Sequence, residues 1–358
     1  LAEAETVVNY VRGIEIPGTR SRTIRYGSEA RANVMRLGDI INSTPTVVGA
    51  PQEAFNLLYG DRSYTDFRRQ YQERRIMVYA GGNDGLLHAF NGGFYEVTSD
   101  DYGNKTIAYT VSRKDASNNP LDISHPLGSE IWAYAPKNLL AHLRWLKDPN
   151  YAASHVFYLD GKPRIFDANI FTPDADHPGG WGTVLVAGMN TGGGEMEVDT
   201  SGDDLLAGDR GSDNIFTRSA YIVLDITNPE QQPRLLGELQ LPDRSYTTVQ
   251  PAVMSFRDTG TNTSCDAGHS PCNSWYLVLG TGPDTLATAE SNQTTKLYLF
   301  DLSQLTTAVT AKPAAGDPIP AGCALAPLTP GMNIISCDTG IASTFMGTPV
   351  IVDWDLDF

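Results

Sequence analysis

The sequence predicts an all-β chain folded as the blades of a β-propeller, with long loop insertions and one short N-terminal helix. Two observations carry that reading. Of 358 residues, 34 are Gly and 22 are Pro, a share that suits many turns and short strands rather than a helical bundle. A strand-rich unit also recurs roughly every 95 residues, in the order strand, strand, Gly-rich turn, strand ending on an acidic or Asn turn. A β-sandwich would supply similar hairpins, but it does not require the order of strands within each unit to repeat.

The elements follow in chain order. Ala4, Val7, Val8 and Val11 stand at i, i+3, i+4 and i+7, the spacing of a helix with one apolar stripe, which ends near Gly13. The basic stretch 20–36 has no apolar periodicity and reads as a linker, so residues 1–36 form a helix and linker and 37–358 a partial propeller. A second helix is expected from Ser63, where Ser63 and Asp66 have capping spacing and Tyr64, Phe67 and Tyr71 share a face. A third is expected over 136–148, because Leu139, Leu143 and Leu146 keep helical spacing.

The remaining segments read as strands. IMVYAGGNDGLLHAF (76–90) is a hairpin, and so are 181–194 with 220–229 and 275–285 with 296–305. Each is preceded by a shorter strand, at 43–51, 156–168 and 247–256. The units then span about 37–150, 151–242 and 243–342, and STFMGTPVIVDWD from 343 opens a fourth. A propeller left open exposes a sheet edge and half a core interface. The chain is therefore expected to be a fragment whose propeller continues beyond Phe358.

Charge and cysteine usage bound the function. With 42 acidic and 26 basic residues the net charge is −16, the wrong sign for neutralising phosphates, so nucleic acid is excluded as the expected partner. No apolar run approaches the roughly 18 residues of a membrane span. The four cysteines fall as two local pairs in loop-like sequence, Cys265 with Cys272 and Cys323 with Cys337, which reads as two disulfides formed in an oxidising compartment. Zinc or free thiols are the alternatives, although no Cys-x-x-Cys spacing is present.

Two sets of carboxylates could hold a metal. Asp353, Asp355 and Asp357 alternate with apolar residues, and D-x-D-x-D is the opening of an EF-hand-type Ca2+ loop, in which a cation offsets the repulsion of like charges. The second set is in the insertion 195–217, where Asp204 and Asp213 occupy equivalent places in two Gly-x-Asp-x-apolar stretches nine residues apart, with Asp199 nearby. A solvated acidic loop is the competing reading. Catalytic signals are poor: the six histidines are scattered, and His88, inside a strand, reads as a packed core residue. No Gly-rich turn is followed by the Lys-Ser/Thr of a nucleotide loop. The five tryptophans are expected to pack between blades.

Six segments, RLGDIINSTPTVVGAP (36–51), VYAGGNDGLLHAFNG (78–92), GSEIWAYAPKNLL (128–140), LDGKPRIFDA (159–168), VAGMNTGGG (186–194) and YIVLDITNP (221–229), together resemble the C-terminal domain of the PilC/PilY-type pilus-tip adhesins. The resemblance covers about residues 30–358. It implies a modified quinoprotein-like β-propeller, exported through the periplasm to the cell surface at the tip of a type IV pilus. It further implies no enzymatic activity, and a role in surface attachment and in the calcium-regulated balance of pilus extension and retraction. Minor pilins and host or abiotic surfaces are the implied partners, and the segment around Asp353 matches the family's calcium loop. Helix 1–13 resembles the link to the family's N-terminal portion, and the insertion 195–217 departs from its usual pattern. The rival activity is that of a quinone-dependent dehydrogenase of the same propeller class, but the TGKxxW docking motifs and adjacent-cysteine disulfide typical of those enzymes are missing here. A structural role in another extracellular filament is the third possibility.

Overall fold

The computed structural model describes residues 2–25, 27, 32–99, 103, 105–112, 125–199, 214–257, 273–287, 291–306, 319–328 and 331–352. Three antiparallel sheets form its body. The first takes Thr46–Val48, Met77–Gly81, Leu87–Asn91 and Glu130–Tyr134 in chain order, and the second Arg164–Asn169, Trp181–Gly188, Tyr221–Asp225 and Arg234–Leu239. The third runs Ala252–Arg257, Asn273–Gly280 and Thr294–Asp301, then Met332–Ala342, with Cys323–Leu328 as a fifth strand at its edge.

Side-chain alternation stacks these sheets face to face. In the second sheet every residue of Trp181–Gly188 and Tyr221–Asp225 is buried, so along these two central strands neither face meets water. Val184, Val186, Tyr221 and Val223 share a core with Trp275, Leu277, Leu279, Tyr298 and Phe300 of the third sheet. Their alternate neighbours Leu185, Ala187, Ile222 and Leu224 share another with Met77, Tyr79, Leu87 and Ala89 of the first. A slip of one residue in register would exchange the two faces. A two-sheet sandwich has one such interface; a middle sheet with two is propeller packing.

Turn chemistry explains why the repeated motif ends on Asp or Asn. The residue closing the third strand of each sheet accepts the N–H two positions on: Asn91 from Gly93 at 2.9 Å, Asp225 from Thr227 at 3.1 Å and Asp301 from Ser303 at 2.8 Å. These side chains replace the strand ladder where the chain turns away. At the end of the preceding strand the requirement is for no side chain at all. A Cβ on Gly81 would lie 2.2 Å from the carbonyl oxygen of Leu159, and one on Gly188 would lie 2.9 Å from that of Thr247. In each case the backbone leading into the next sheet occupies the space.

Among the described residues four α-helices decorate the stack: α1 (Ala2–Val11), α2 (Phe55–Leu58), α3 (Ser63–Tyr71) and α4 (Leu143–Leu146). As the sequence predicts, α3 buries Tyr64, Phe67 and Tyr71, in the core that joins the second and third sheets. Trp181 and Trp275 pack edge to face there, 5.6 Å apart. Just beyond α3, Arg74 is 6 % exposed and donates to Thr183 Oγ1 and the Thr227 carbonyl, while Thr183 donates to Asp167, which also accepts from the Tyr64 hydroxyl. Burial pushes the Asp167 carboxyl up, against the pull of Arg74 and its two hydroxyl donors.

Several expectations are corrected. Residues 136–148 form a 3-10 turn, Lys137–Leu139, and the one-turn α4 instead of a continuous helix. Leu139, Leu143 and Leu146 are buried in one core as their spacing implies, but the Glu238 carboxylate takes the N–H of Lys137 and both nitrogens of Asn138, and the backbone closes i→i−3 turns around it. The start of α3 is held by Asp61, which accepts the N–H and hydroxyl of Ser63 at the same oxygen, and not by Ser63. The basic stretch is no free linker: Thr23–Ile24 pairs with Asn33–Val34, and the Arg22 guanidinium lies 4.0 Å over the Tyr10 ring. Cys323 and Cys337 form the expected disulfide, but directly across a strand pair and not in a loop. The pair Cys265 and Cys272 lies outside the described residues. Strand pairs Phe94–Ser99 with Lys105–Thr110 and Met196–Val198 with Ile215–Thr217 were not expected.

The joint at Gly81 yields a stability prediction. Gly81→Ala forces the Leu159 carbonyl away from the first sheet and is expected to destabilise the fold by about 2–4 kcal/mol, the range of a core overpacking. Gly347→Ala, where a Cβ meets no atom within 4 Å, is expected to stay near the parent. Urea denaturation of the two variants measures the difference.

Candidate functional site

The segments that feed the three sheets converge on a polar seam. Asp160 is 1 % exposed and accepts from the backbone N–H and the side-chain amide of Asn42, ahead of the first sheet, and from Asn190 Nδ2, just past the strand Trp181–Gly188 of the second. Asn190 has φ +56°, a left-handed conformation that Asn tolerates better than most residues. It also bridges Thr247 ahead of the third sheet, whose hydroxyl accepts the N–H of Met189. At the first hairpin Asn83 donates to Asp39 at 2.9 Å and accepts from the Tyr158 N–H at 3.0 Å, while Asp84 accepts from the Gly38 N–H. Burial works against ionised Asp39, but hydrogen bonds from Asn83 and His155 outweigh it and hold the carboxyl below its ordinary value.

Two buried histidines are clamped between carboxylates. His88 Nδ1 is 2.5 Å from Glu130 and its Nε2 3.0 Å from Asp84. Desolvation opposes the charged ring, yet the two hydrogen bonds and the negative charges behind them prevail, and the imidazole is pushed up to about 9. In the second sheet His177 sits between Asp174 at 2.8 Å and Asp225 at 3.1 Å, with its ring stacked 4.2 Å from Phe171. Burial again opposes protonation and the carboxylates again win, so His177 is raised and Asp225 lowered. In both clusters an imidazole held by two carboxylates through charge-assisted hydrogen bonds ties a hairpin turn to an edge strand, or a loop to a strand end. His88 is thus the packed core residue expected, with a charge the sequence did not announce.

Of the sequence-predicted metal ligands, Asp199 alone falls within the described residues. Asp353, Asp355, Asp357, Asp204 and Asp213 lie outside the described residues. Asp199 is half-buried just past Met196–Val198, on the rim of an apolar groove. Among the described residues no group of three or more His, Cys, Asp or Glu side chains could hold a metal ion. The chain leading to Asp353 leaves the third sheet by the Met346 N–H to Thr281 bond, and Val350 and Val352 are 83 % and 68 % exposed.

The seam residues were missed at the sequence level. Their signal was a polar residue shortly before the proline of each feeding segment: Asp39 and Asn42 before Pro45, Asp160 before Pro163, and Thr247 before Pro251. The Asp or Asn closing each third strand is legible in the sequence, but not that Asp225 reaches back to a histidine.

Comparison with known proteins agrees with this architecture. Residues 37–209 match the PilY1 beta-propeller domain family. The chain is 31 % identical over 289 residues to a type IV pilus biogenesis factor PilY1 homolog of Xylella fastidiosa, covering 78 % of this chain and 16 % of that protein. It is 26 % identical over 282 residues to the type IV pilus biogenesis factor PilY1 of Pseudomonas aeruginosa PAO1, covering 77 % and 17 % respectively. The chain therefore spans less than a fifth of the length of these relatives. A crystal structure of the Pseudomonas aeruginosa PilY1 C-terminal domain superposes with a TM-score of 0.44 at 19 % identity, over 87 % of this chain and 41 % of that one.

The His88 clamp has a pH signature. Because its folded value, about 9, lies above the ordinary 6.5, its contribution is complete below about pH 6.5 and is lost as the pH rises through about 9. Thermal unfolding midpoints from pH 6 to 9.5 are expected to fall more steeply in the parent than in His88→Gln, which removes the titrating group.

Proposed function

We propose, on the premise that residues 37–209 carry a PilY1 β-propeller domain, that this chain is the propeller portion of a type IV pilus biogenesis factor. In this reading it acts without catalysis, as a rigid surface that engages minor pilins on one side and a host or abiotic surface on the other. The observation that carries the proposal is the agreement between the family match and the three-sheet stack. Residues 37–209 contain the whole first sheet and the first two strands of the second, Arg164–Asn169 and Trp181–Gly188. The named roles of the Xylella and Pseudomonas relatives supply the pilus. In this reading the protein is exported through the periplasm to the cell surface, at the pilus tip, and a cross-strand disulfide is in keeping with passage through an oxidising compartment.

Ca2+ belongs to the same proposal. Asp353, Asp355 and Asp357 follow directly on the extended segment that leaves the third sheet, so a cation held there would order whatever packs on that sheet next, and through it the balance of pilus extension and retraction. Asp199, Asp204 and Asp213 are the second choice.

Deleting the coding sequence in the source bacterium is expected to reduce surface pili and twitching, with restoration by the parent gene. Normal piliation and twitching in the deletion strain would contradict the role. Calorimetry on the full-length protein is expected to give Ca2+ binding that weakens by about tenfold or more in Asp355→Ala, as expected when one of a few oxygen ligands is lost. Equal affinity in both would move the site to the insertion.

A further inference from the structure

The third sheet is built unlike the other two at its outer edge. The first and second sheets end on their fourth strands, Glu130–Tyr134 and Arg234–Leu239, whereas in the third the fourth strand, Met332–Ala342, is flanked by a fifth, Cys323–Leu328. The two form a hairpin whose register pairs Leu328 with Met332 at its turn and Cys323 with Cys337 at its open end. The Cys323–Cys337 disulfide therefore stands at the end of the fifth strand remote from the turn.

The two ends of this strand are held by different forces. At the turn, Leu328 and Ile334 are buried in the core shared with the second sheet, and Ala326 and Met332 pack against it. Toward the open end Ala324 and Leu325 are exposed, and Pro327, between the two ends, has no N–H to give to the ladder. The neighbouring ladder becomes irregular at the same point. Cys337 pairs with Leu297 and Asp338 with Lys296, but the register then shifts, and residues 339–341 bulge opposite Thr295 before Ala342 meets Thr294. Apolar burial and regular pairing thus run out where the covalent bond stands, and both cysteines are only half-buried, within reach of a thiol in solvent.

We infer that the Cys323–Cys337 disulfide is a redox-operated latch on the edge of the third sheet. A dithiol reductant opens it by exchange: one thiolate attacks a sulfur of the pair, the protein S–S bond breaks as a mixed disulfide forms, and the second thiol of the reductant displaces the remaining cysteine. Two electrons pass to the pair, two protons finish on the Cys323 and Cys337 thiols, and the reductant leaves as its own disulfide. The fifth strand then peels from Cys323 toward Leu328, which stays as the hinge. The backbone groups of Met332–Ala342 that faced it are left unpaired, the state in which a sheet edge accepts another strand. The stack below keeps its packing, because neither cysteine belongs to its two cores.

The test uses the full chain under native conditions, with dithiothreitol as the dithiol and iodoacetamide to mark freed thiols. Both Cys323 and Cys337 are expected to be alkylated. Hydrogen–deuterium exchange of peptides covering 323–328 and 332–338 is expected to quicken by about tenfold or more, with 181–188 and 221–225 unchanged. Reoxidation in air is expected to restore slow exchange. Cys323→Ser with Cys337→Ser should exchange in this hairpin as fast as the reduced parent and ignore dithiothreitol there, which separates the latch from any effect of Cys265 and Cys272. Should the double variant not fold, reduction and reoxidation of the parent decide alone. A bond that opens only in urea, or hairpin exchange unchanged on reduction, would overturn the proposal. So would loosening that spreads to the second-sheet peptides, which would make the bond a staple of the whole stack.

Discussion

The structure depends on a sheet whose two central strands have no surface of their own. Both faces of these strands are buried, one set of alternating side chains belonging to a core shared with the first sheet and the other to a core shared with the third. Neither neighbour can leave without exposing a row of Val, Leu, Ile and Tyr side chains, so the three sheets are one cooperative body. This explains features that look local. The glycines that end the second strands are small because the next sheet's lead-in passes over them. Arg74 is buried because it fastens the approach to the first sheet onto Thr183 and Thr227 of the second.

The polar seam and the histidine clamps serve the same end by other means. A hydrophobic stack leaves sliding motions weakly resisted, whereas hydrogen bonds from Asp160 to Asn42 and Asn190 are directional and fix one sheet's azimuth against the next. The clamped imidazoles of His88 and His177 tie turns and loops to strands at 2.5–3.1 Å. A platform fixed in this way can present long loops and inserted ribbons without moving itself.

How much of this was legible in the sequence follows from where the information lies. The inner three strands of each sheet were readable, because burial on both faces leaves continuous runs such as WGTVLVAG and YIVLD, ended by an Asp or Asn that must turn the chain. The outermost strands were not: RLLGEL and CALAPL are half exposed, and their pairing is decided by a neighbour distant in sequence. Residues 136–148 have helical spacing, yet Glu238 of the second sheet, about a hundred positions away, takes the N–H groups at its start. At the candidate sites the residue types were visible and the partnerships were not. Asp225 reads as a turn residue, and nothing local says that His177 will find it.

Hydrogen–deuterium exchange across the three sheets tests most directly whether the second sheet is the keystone. Peptides covering 181–188 and 221–225 are expected to be the slowest in the molecule and to exchange only with global unfolding, with 77–91 and 294–301 equal to them or faster. Exchange of the second-sheet peptides ahead of either neighbour, or release of the third sheet with the first two unchanged in stability, would contradict the account.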